Sequence, residues 1–422
     1  MLSREDNERL TRVGPGTPMG ELMRRYWIPA GFSSQIAQPD SPPVRVRLLC
    51  ENLVMFRDSK GRIGLVDEKC PHRTASLFFG RKEDSGIRCV YHGLKFDVDG
   101  NCVDIPCVPQ ASDAERANMA KKLAVKAYPC TERAGIVWTY MGPKELRPEF
   151  PDLEWTLIPD SHRMASRHIQ ECNWLQGFDG GFDSSHLSFL HSGAIDIRKG
   201  AADKDRKIVP TRYDVVPLDC GFACGSAREL ENGNNSWHVD VMLMPFHKII
   251  PSAPIAAHVW APIDDENTML YSVTFNPHRP FTPEDLARET AFRGIHTENI
   301  PGTDRAIQNR DNDYMIDRAQ QSDGRSYTGL KGLGIQDCAM QESMGPIADR
   351  TIEHLLPSDM ALTKIRRLLL QMLDNHAAGK PLPGMKAADY RVRSVRYEAP
   401  KSAAFADTVA RHIAIDGMVA AQ

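Results

Sequence analysis

The sequence predicts an α+β protein, in which a small all-β region precedes a domain built on an antiparallel sheet covered by helices. Short apolar runs separated by turn residues follow one another from Val44 to about Pro129. Longer apolar or alternating runs lie between Arg212 and Asn276, and helical patterns follow them. These changes in pattern predict three segments: a helical segment at 1–40 that packs on the last domain, the β domain at 41–133, and the α+β domain at 134–422.

The elements of the amino-terminal part follow from local patterns. A helix is expected around Met19–Tyr26, before a loop rich in glycine and proline. Glycine-containing turns at 59–61 and 99–101 divide the β domain into short strands. The predicted strands are Val44–Leu49, Leu53–Arg57, Ile63–Asp67, Gly86–Val90 and Leu94–Asp97.

The second domain shows strand patterns first and helix patterns later. The predicted strands are Arg212–Val216, Cys220–Arg228, Trp237–Met244, Ala257–Pro262 and Met269–Asn276. Thr282 followed by Pro283 is typical of the start of a helix, because threonine caps the free N–H groups and proline suits the first turn. From Ser358 apolar residues recur at steps of three and four, which predicts a long amphipathic helix ending near Gly379.

Composition excludes several classes of protein. With 422 residues, a net charge of −3 and 41% hydrophobic residues, the chain predicts a globular protein that binds neither nucleic acid nor an anionic membrane. No apolar run reaches the roughly 18 residues that a membrane span needs. The first ten residues lack the apolar core of a signal peptide, and ten cysteines are scattered over a long chain, so we expect a cytoplasmic location.

Two short loops of the β domain each offer one thiolate and one imidazole. Cys70 and His72 are followed, after sixteen residues, by Cys89 and His92. This division suits a binuclear [2Fe–2S] cluster in which one iron takes both sulfurs and the other takes both nitrogens. A zinc site is the alternative, although zinc sites more often pair like with like, as in C-x₂-C followed by H-x₃₋₅-H.

A second group of metal ligands follows about ninety residues later. Two histidines and one carboxylate can hold Fe(II) on one face and leave the other positions open. Asp183 and His186 would lie about 60° apart on a regular helix, whereas His186 and His191 would lie about 140° apart. The two histidines therefore converge on one ion only if the helix ends or bulges between them.

Together these segments resemble the oxygenase (alpha) subunits of Rieske non-haem iron ring-hydroxylating oxygenases, of the phthalate and phenoxybenzoate dioxygenase type. The second cluster loop of that family usually reads C-x-Y-H-G-W, and here it reads C-V-Y-H-G-L, with Leu94 in place of tryptophan. Segments 12–20 and 345–350 also match. The resemblance covers nearly the whole chain and identifies 41–133 as a Rieske domain and 134–422 as the catalytic domain.

The resemblance implies roles for individual residues. His186 and His191 are iron ligands, and a carboxylate in the segment 337–342 is the third. Asp337 fits that position better than Glu342, which remains the rival. Asp183 contacts His92 of a neighbouring subunit. Asn173 lies near the iron, and Gln176 lines the pocket.

The implied function is that of a terminal oxygenase. It uses O₂ and electrons from a flavin and iron–sulfur reductase, which oxidises NADH or NADPH, to hydroxylate an aromatic substrate by cis-dihydroxylation. A Rieske monooxygenase or O-demethylase is the alternative within the family. An electron-transfer protein would need only the first site, and a zinc-stabilised binding module would need no O₂. The implied assembly is a homotrimer, or stacked trimers, in which each cluster lies beside the iron of its neighbour.

The substrate is expected to be an aromatic carboxylate such as a phthalate or a phenoxybenzoate. The pocket walls should come from the neighbourhood of the iron and from the sheet around 237–246. A carboxylate calls for a cationic partner, ideally arginine. The candidate substrate contacts are Phe178, Phe182, Arg198, Lys199, Arg206, His238 and His258. Many relatives carry arginine where this chain has His238, which leaves a mono-acid, a phenoxybenzoate-like ether and a neutral aromatic open.

Overall fold

The computed structural model describes residues 1–39, 41–192 and 209–415, which form two compact units. One unit comprises Gly14–Gly16 and Met23–Pro148. The other comprises Met1–Val13, Thr17–Leu22 and the described residues from Glu149 onward. The first unit is built almost entirely of strands, and the second combines one antiparallel sheet with helices, so the predicted fold class is confirmed.

The first unit contains three small antiparallel sheets. Their strands are β1 (Trp27–Phe32), β2 (Val44–Leu48), β3 (Glu51–Arg57), β4 (Ile63–Asp67), β5 (Arg81–Glu83), β6 (Gly86–Arg88), β7 (Lys95–Phe96), β8 (Cys102–Asp104), β9 (Cys130–Arg133) and β10 (Ile136–Tyr140). They are ordered β1-β10-β9, β2-β3-β4 and β5-β6-β7-β8. Apolar side chains from the last two sheets form one core, and this core includes Cys70 and Cys89.

The second unit is organised around an eight-stranded sheet. Its strands are β11 (Arg163–Gln170), β12 (Arg212–Leu218), β13 (Gly221–Glu229), β14 (Asn234–Leu243), β15 (His247–Ile250), β16 (Ile255–Pro262), β17 (Thr268–Phe275) and β18 (Val395–Pro400). The order is β11-β17-β16-β15-β14-β13-β12, and β18 pairs with β14. Each strand from β12 to β17 pairs antiparallel with the next along the chain.

The helices have well-marked ends. They are Arg4–Thr11, Pro18–Met23, Asp113–Lys122, Glu154–Leu157, Trp174–Phe182, Pro283–Thr290, Arg318–Ser322, Leu333–Ser343, Met360–Ala377 and Phe405–Ile413. Thr282 caps its helix as predicted, since its side chain accepts a hydrogen bond from the Asp285 N–H. Within the described residues, no helix combines the length and the apolarity that crossing a membrane would require.

The amino-terminal segment differs from the helical segment that the sequence predicted. Trp27–Phe32 is a strand, and it pairs with Ile136–Tyr140, which the sequence assigned to the second domain. Both strands are almost fully buried and, apart from Thr139, apolar or aromatic, so neither shows the alternation that marks a half-exposed strand. The pairing therefore became evident only in three dimensions.

Buried ion pairs hold the helix Trp174–Phe182 in place. Asp179 accepts hydrogen bonds from Arg350 at 2.9 Å and from Arg366 at 2.8 Å, and all three residues are at least nine-tenths buried. Burial alone would raise the pKa of Asp179, but the charges of Arg366 and Arg350 outweigh that effect and lower it. The carboxylate therefore stays ionised and joins this helix to the long helix Met360–Ala377.

Replacing Asp179 with asparagine should destabilise the protein by about 3–5 kcal/mol, because two buried guanidinium groups would lose their common counter-ion. Urea unfolding would measure the loss. The matched control is Glu229→Gln, which removes an exposed pair with Lys401 and should cost about 1 kcal/mol or less. Equal losses in the two variants would contradict the importance given to the buried pairs.

Candidate metal centres

The two loops of the β unit that carry the predicted cluster ligands have the same backbone geometry. In the first, the Cys70 N–H donates to Ala75 O and the Thr74 N–H donates to Cys70 O, both at 2.9 Å. In the second, the Cys89 N–H donates to Leu94 O at 2.8 Å and the Gly93 N–H to Cys89 O at 2.9 Å. Thr74 and Gly93, each four residues after the cysteine, both adopt positive φ, at 59° and 80°. The two loops are therefore equivalent supports for a shared group.

The four side chains are arranged with the sulfurs inside and the imidazoles outside. Cys70 and Cys89 are 2% and 3% exposed, whereas His72 is exposed and His92 half-buried. The two imidazole rings lie edge to face, with centroids 4.5 Å apart. Burial raises the pKa of the Cys70 thiol to about 11, although the His72 backbone opposes the rise, and nearby Cys89 raises the pKa further. A metal centre that takes the Cys70 sulfur would therefore have to displace its proton.

These four ligands do not converge on one point. In the described part of the chain, only one group of three or more His, Cys, Asp and Glu side chains brings its ligand atoms within 4.8 Å of one another, and it lies elsewhere. A tetrahedral zinc ion would need all four atoms around a single centre. A binuclear cluster needs two thiolates on one side and two imidazoles on the other, and this donor set fits it.

The converging group consists of His186, His191 and Asp337. Asp337 Oδ1 lies 3.2 Å from His191 Nε2 and 3.7 Å from His186 Nε2, and the two rings have centroids 4.9 Å apart. One ion can contact all three side chains. Two imidazoles and one carboxylate are the donor set of mononuclear non-haem iron sites, so the chemistry of the group fits that metal.

The end of a helix explains how the two histidines meet. The helix Trp174–Phe182 stops with Asp183 at its C-cap, and His186 begins a short 3₁₀ turn. The Leu190 N–H then donates to His186 O at 2.8 Å. The spacing required the helix either to end or to bulge, and here it ends before His186.

Each histidine has an outer partner on Nδ1. Asp183 Oδ2 lies 3.5 Å from His186 Nδ1, and Gln336 Oε1 lies 2.8 Å from His191 Nδ1. Burial tends to raise the pKa of Asp183, but hydrogen bonding and attraction from His186 outweigh it and lower the pKa to about 2. Burial also opposes ionisation of Asp337, whose pKa is lowered nonetheless by His191 and His186. The sequence did not predict a role for Gln336, because nothing in its spacing distinguishes it from other polar residues.

A cavity of about 120 Å³ adjoins the three ligands. It is lined by His238 and His258, two of the candidate substrate contacts, together with Asp240, Lys248 and Trp260. Asp240 lies between His238 and Lys248, 3.3 Å from His238 Nε2 and 3.3 Å from Lys248 Nζ. Burial lowers the pKa of His258 to about 3, so this imidazole is neutral near pH 7.

Strand geometry explains this lining. Side chains two apart on a strand share a face, which places His238 and Asp240 together on β14. Lys248 on β15 lies opposite His258 on β16. Lys248 also donates a hydrogen bond to Gly181 O. The sequence did not predict Lys248 as a cavity residue, because the spacing of a single lysine in a short apolar strand does not mark it.

Asn173 and Gln176 do not have the positions that the resemblance implied. The Asn173 amide donates to Thr11 O and Asp265 O and accepts from the Leu175 N–H, so it caps the helix. Asp183 lies ten residues further on, at the other end of the helix, and ten helical residues span about 15 Å. Asn173 is therefore at the helix end away from the two histidines. Gln176 donates to Gln341 O and Gly345 O and accepts from the Ala348 N–H. Both amides are fully used in holding the backbone, which corrects the expected catalytic roles.

The remaining candidates separate into core residues and residues outside the described ranges. Phe178 and Phe182 are 0% and 1% exposed and pack against each other and against Phe222, so they belong to the core and not to the pocket wall. Arg198, Lys199 and Arg206 lie outside the described residues.

Glu342, the rival for the third ligand, is bound elsewhere. Its carboxylate accepts hydrogen bonds from the Tyr314 hydroxyl at 2.6 Å and from the Glu171 N–H at 3.0 Å. Asp337 and Glu342 both lie inside the helix Leu333–Ser343, which begins four residues before Asp337. Five residues apart, the two side chains point to different sides of that helix.

Two family models match the chain. Residues 26–129 match the Rieske [2Fe-2S] domain, and residues 139–418 match the LigXa C-terminal domain like family. The 3-chlorobenzoate-3,4-dioxygenase oxygenase subunit of Comamonas testosteroni is 38% identical, over 95% of this chain and 96% of its own. The phthalate 4,5-dioxygenase oxygenase subunit of Pseudomonas putida is 38% identical, over 98% and 96%.

More distant matches extend the comparison. The 5,5'-dehydrodivanillate O-demethylase oxygenase subunit of a Sphingobium species is 32% identical, over 90% of this chain and 82% of its own. Among solved structures, dicamba monooxygenase bound to dicamba has a TM-score of 0.58 at 17% identity, covering 84% of this chain and 99% of the other. That likeness confirms the fold.

Gly93 and Thr74 offer a matched test of the cluster loops. A Cβ at Gly93 would lie 2.6 Å from Pro106 Cγ, in a backbone conformation with φ of +80° that L-residues rarely adopt. Gly93→Ala should therefore lower the acid-labile sulfide and the visible cluster absorbance per chain. Thr74→Gly, at the equivalent position, should retain both, because it relieves a positive φ. Full cluster content in Gly93→Ala would show that the loop tolerates the side chain.

Proposed function

The chain belongs to the Rieske non-haem iron oxygenases as an oxygenase subunit with a LigXa-like catalytic domain, and we propose that it oxidises an aromatic monocarboxylate. It is therefore an oxidoreductase with a Rieske [2Fe–2S] domain and a mononuclear-iron domain. The observation that carries the proposal is the convergence of His186, His191 and Asp337 beside a cavity lined by a buried lysine.

Each metal centre has its own residues in this proposal. Cys70, His72, Cys89 and His92 hold the cluster, and His186, His191 and Asp337 hold the iron. When bound, the cluster supplies single electrons and the iron supplies the site at which O₂ is reduced. Asp183 keeps His186 oriented through its Nδ1 hydrogen. Trp260, Leu270 and Ile295 line the cavity with apolar surface and limit the water that reaches the substrate.

The carboxylate preference rests on Lys248. Among the described residues that line the cavity, Lys248 is the only lysine or arginine, and it is 7% exposed. An ammonium group has three donors. Two of them meet Asp240 and Gly181 O, so a third can bind one carboxylate oxygen of a substrate. Three of the relatives bear names of aromatic acids: 3-chlorobenzoate, phthalate and dehydrodivanillate. A single buried ammonium group can pair with one carboxylate, so it favours a substrate that carries one carboxylate close to the aromatic ring that is oxidised.

The reaction proposed is cis-dihydroxylation of the ring, with both atoms of O₂ entering the substrate. The two dioxygenase relatives at 38% identity support this outcome. O-demethylation of an aryl ether is the second candidate, favoured by the 32% identical demethylase subunit. Labelling with ¹⁸O₂ separates the two, since only dihydroxylation puts two labelled atoms into one product.

The electron supply and the assembly complete the proposal. A flavin and iron–sulfur reductase that oxidises NADH or NADPH delivers electrons in the cytoplasm, whose reducing conditions keep thiols reduced. Val90 and Tyr91 directly precede His92 and are each more than half exposed, so the cluster edge offers apolar surface for a neighbouring subunit. In a homotrimer, or a stack of two, Asp183 of one subunit would meet His92 of the next. Sedimentation of the purified protein as a monomer would contradict this arrangement.

Metal analysis tests the assignment of the iron ligands. Wild-type protein purified without air should hold about three irons and two labile sulfides per chain. His186→Ala or Asp337→Ala should lose one iron and all turnover, while the Rieske EPR signal of the reduced cluster remains. Glu342→Gln, a substitution of the rival carboxylate on the same helix, should keep all three irons. Loss of iron only in that control would reverse the assignment.

Lys248→Met tests the substrate class. Loss of a charge-assisted hydrogen bond worth about 2 kcal/mol should lower kcat/KM for benzoate-type acids by roughly 30-fold. The neutral benzamide analogues should lose far less, because their amide group carries no charge to pair with. Equal losses for acids and amides would indicate that Lys248 only maintains the cavity.

A further inference from the structure

We propose that Gln336 is the positioning residue for the iron ligand His191: it decides which ring nitrogen faces the metal. The inference rests on the proposed function, because it takes His191 as a ligand. No pattern in the sequence marks Gln336, and its role follows from the hydrogen bonds of one buried side chain.

The orientation of the amide is fixed by its surroundings. Gln336 Nε2 lies 3.1 Å from Leu330 O and 3.0 Å from Thr328 Oγ1. A backbone carbonyl oxygen can only accept, so the end of the amide that faces it must be the NH₂ group. The oxygen end therefore faces His191 Nδ1, at 2.8 Å.

The orientation of the amide then fixes the tautomer of the imidazole. An amide oxygen can only accept, so His191 Nδ1 must carry the hydrogen. Nε2 is left with its lone pair, and it is the nitrogen that faces Asp337 Oδ1 at 3.2 Å. Both His191 and Gln336 are 4% exposed. The opposite tautomer would set two lone pairs against each other away from water, which is costly.

The loop that holds Gln336 is itself fixed by hydrogen bonds. Thr328 Oγ1 also accepts from the Leu330 N–H at 3.1 Å, and the Gly329 N–H donates to Ser326 Oγ at 3.0 Å. Gly329 adopts φ of +69°, and a Cβ there would lie 2.5 Å from Asp317 O, so this turn requires glycine. The two acceptors for the amide therefore hold their positions.

The two proposed iron ligands thus have different outer partners. His186 faces the carboxylate of Asp183, whereas His191 faces a neutral amide. A carboxylate adds negative charge and makes the imidazole a stronger donor to the metal, while an amide supplies direction without charge. Gln336 acts through geometry, so a substitution that keeps an oxygen acceptor should preserve its effect.

A neighbouring cavity decides which substitution is informative. Gln336 also lines a cavity of about 510 Å³. A small side chain at 336 would admit water, which can replace the lost acceptor at His191 Nδ1. Gln336→Met avoids this because methionine fills the same volume and offers only a weak acceptor.

The experiment is a Co(II) titration of protein that keeps its cluster but whose catalytic iron has been removed by a chelator. Gln336→Met should bind Co(II) about 10–100-fold more weakly than the wild type, the usual effect of losing such a partner. Gln336→Glu keeps an oxygen acceptor for His191 Nδ1 but loses the two donations to Leu330 O and Thr328 Oγ1, so it should regain part of that affinity. Thr328→Val removes one anchor of the amide and should give a smaller loss, and it serves if the methionine variant does not fold.

The control is Asn309→Ala, which removes another buried amide that binds backbone carbonyls, those of Ala306 and Ile307. It should lower the unfolding temperature without changing Co(II) affinity. The proposal is overturned if Gln336→Met binds Co(II) within twofold of the wild type, if Gln336→Glu is as weak as Gln336→Met, or if Asn309→Ala weakens binding equally. Wild-type protein that binds no Co(II) would instead refute the proposed function.

Discussion

The ion pairs of Asp179 with Arg350 and Arg366 are the constraint on which the catalytic unit depends. A buried carboxylate between two buried guanidinium groups cannot shift without leaving a charge unpaired, so the helix Trp174–Phe182 has one position. The glycines of that helix add a steric condition. A Cβ at Gly177 or Gly181 would overlap the Trp260 ring, and one at Gly180 would overlap Gln341. The helix therefore lies close against β16 and the helix Leu333–Ser343, and that closeness brings Asp337 to the two histidines that follow the helix end.

The two metal centres obtain their ligands in different ways. The four proposed cluster ligands come from two short loops with the same hydrogen-bond pattern, within one small β unit. The proposed iron ligands come from segments about 150 residues apart, joined by the packing of one helix on another and by hydrogen bonds such as that between His191 and Gln336. The first centre depends on local turns and on a core that buries two sulfurs. The second depends on the tertiary structure of the whole unit, which makes it the more sensitive to substitutions far from the metal.

Charge at the iron site is arranged in two layers. Asp337 and the histidines form the inner layer, and Asp183 and Gln336 orient the histidines from outside. The cavity has its own balanced group, in which Asp240 lies between His238 and Lys248. Burial keeps His258 neutral near pH 7. In the proposed function, a substrate carboxylate would share the Lys248 ammonium with Asp240, because a buried charge needs an opposite charge beside it.

The sequence by itself determined the fold class and most of the strands, and it singled out the two groups of proposed metal ligands. These features are encoded locally: apolar residues alternate along a strand, and a cysteine and a histidine two or three residues apart lie in one loop. The spacing left two candidates for the third ligand. The short distances from Asp337 to both histidines favour Asp337, and the bonds of Glu342 to Tyr314 and Glu171 hold that carboxylate elsewhere. Asn173, Gln176, Phe178 and Phe182 were expected in the site and hold the helix or fill the core. The roles of Lys248 and Gln336 became evident only in the tertiary structure. Contacts between distant segments decide which side chain faces a cavity, and such contacts produce no periodic pattern in the sequence.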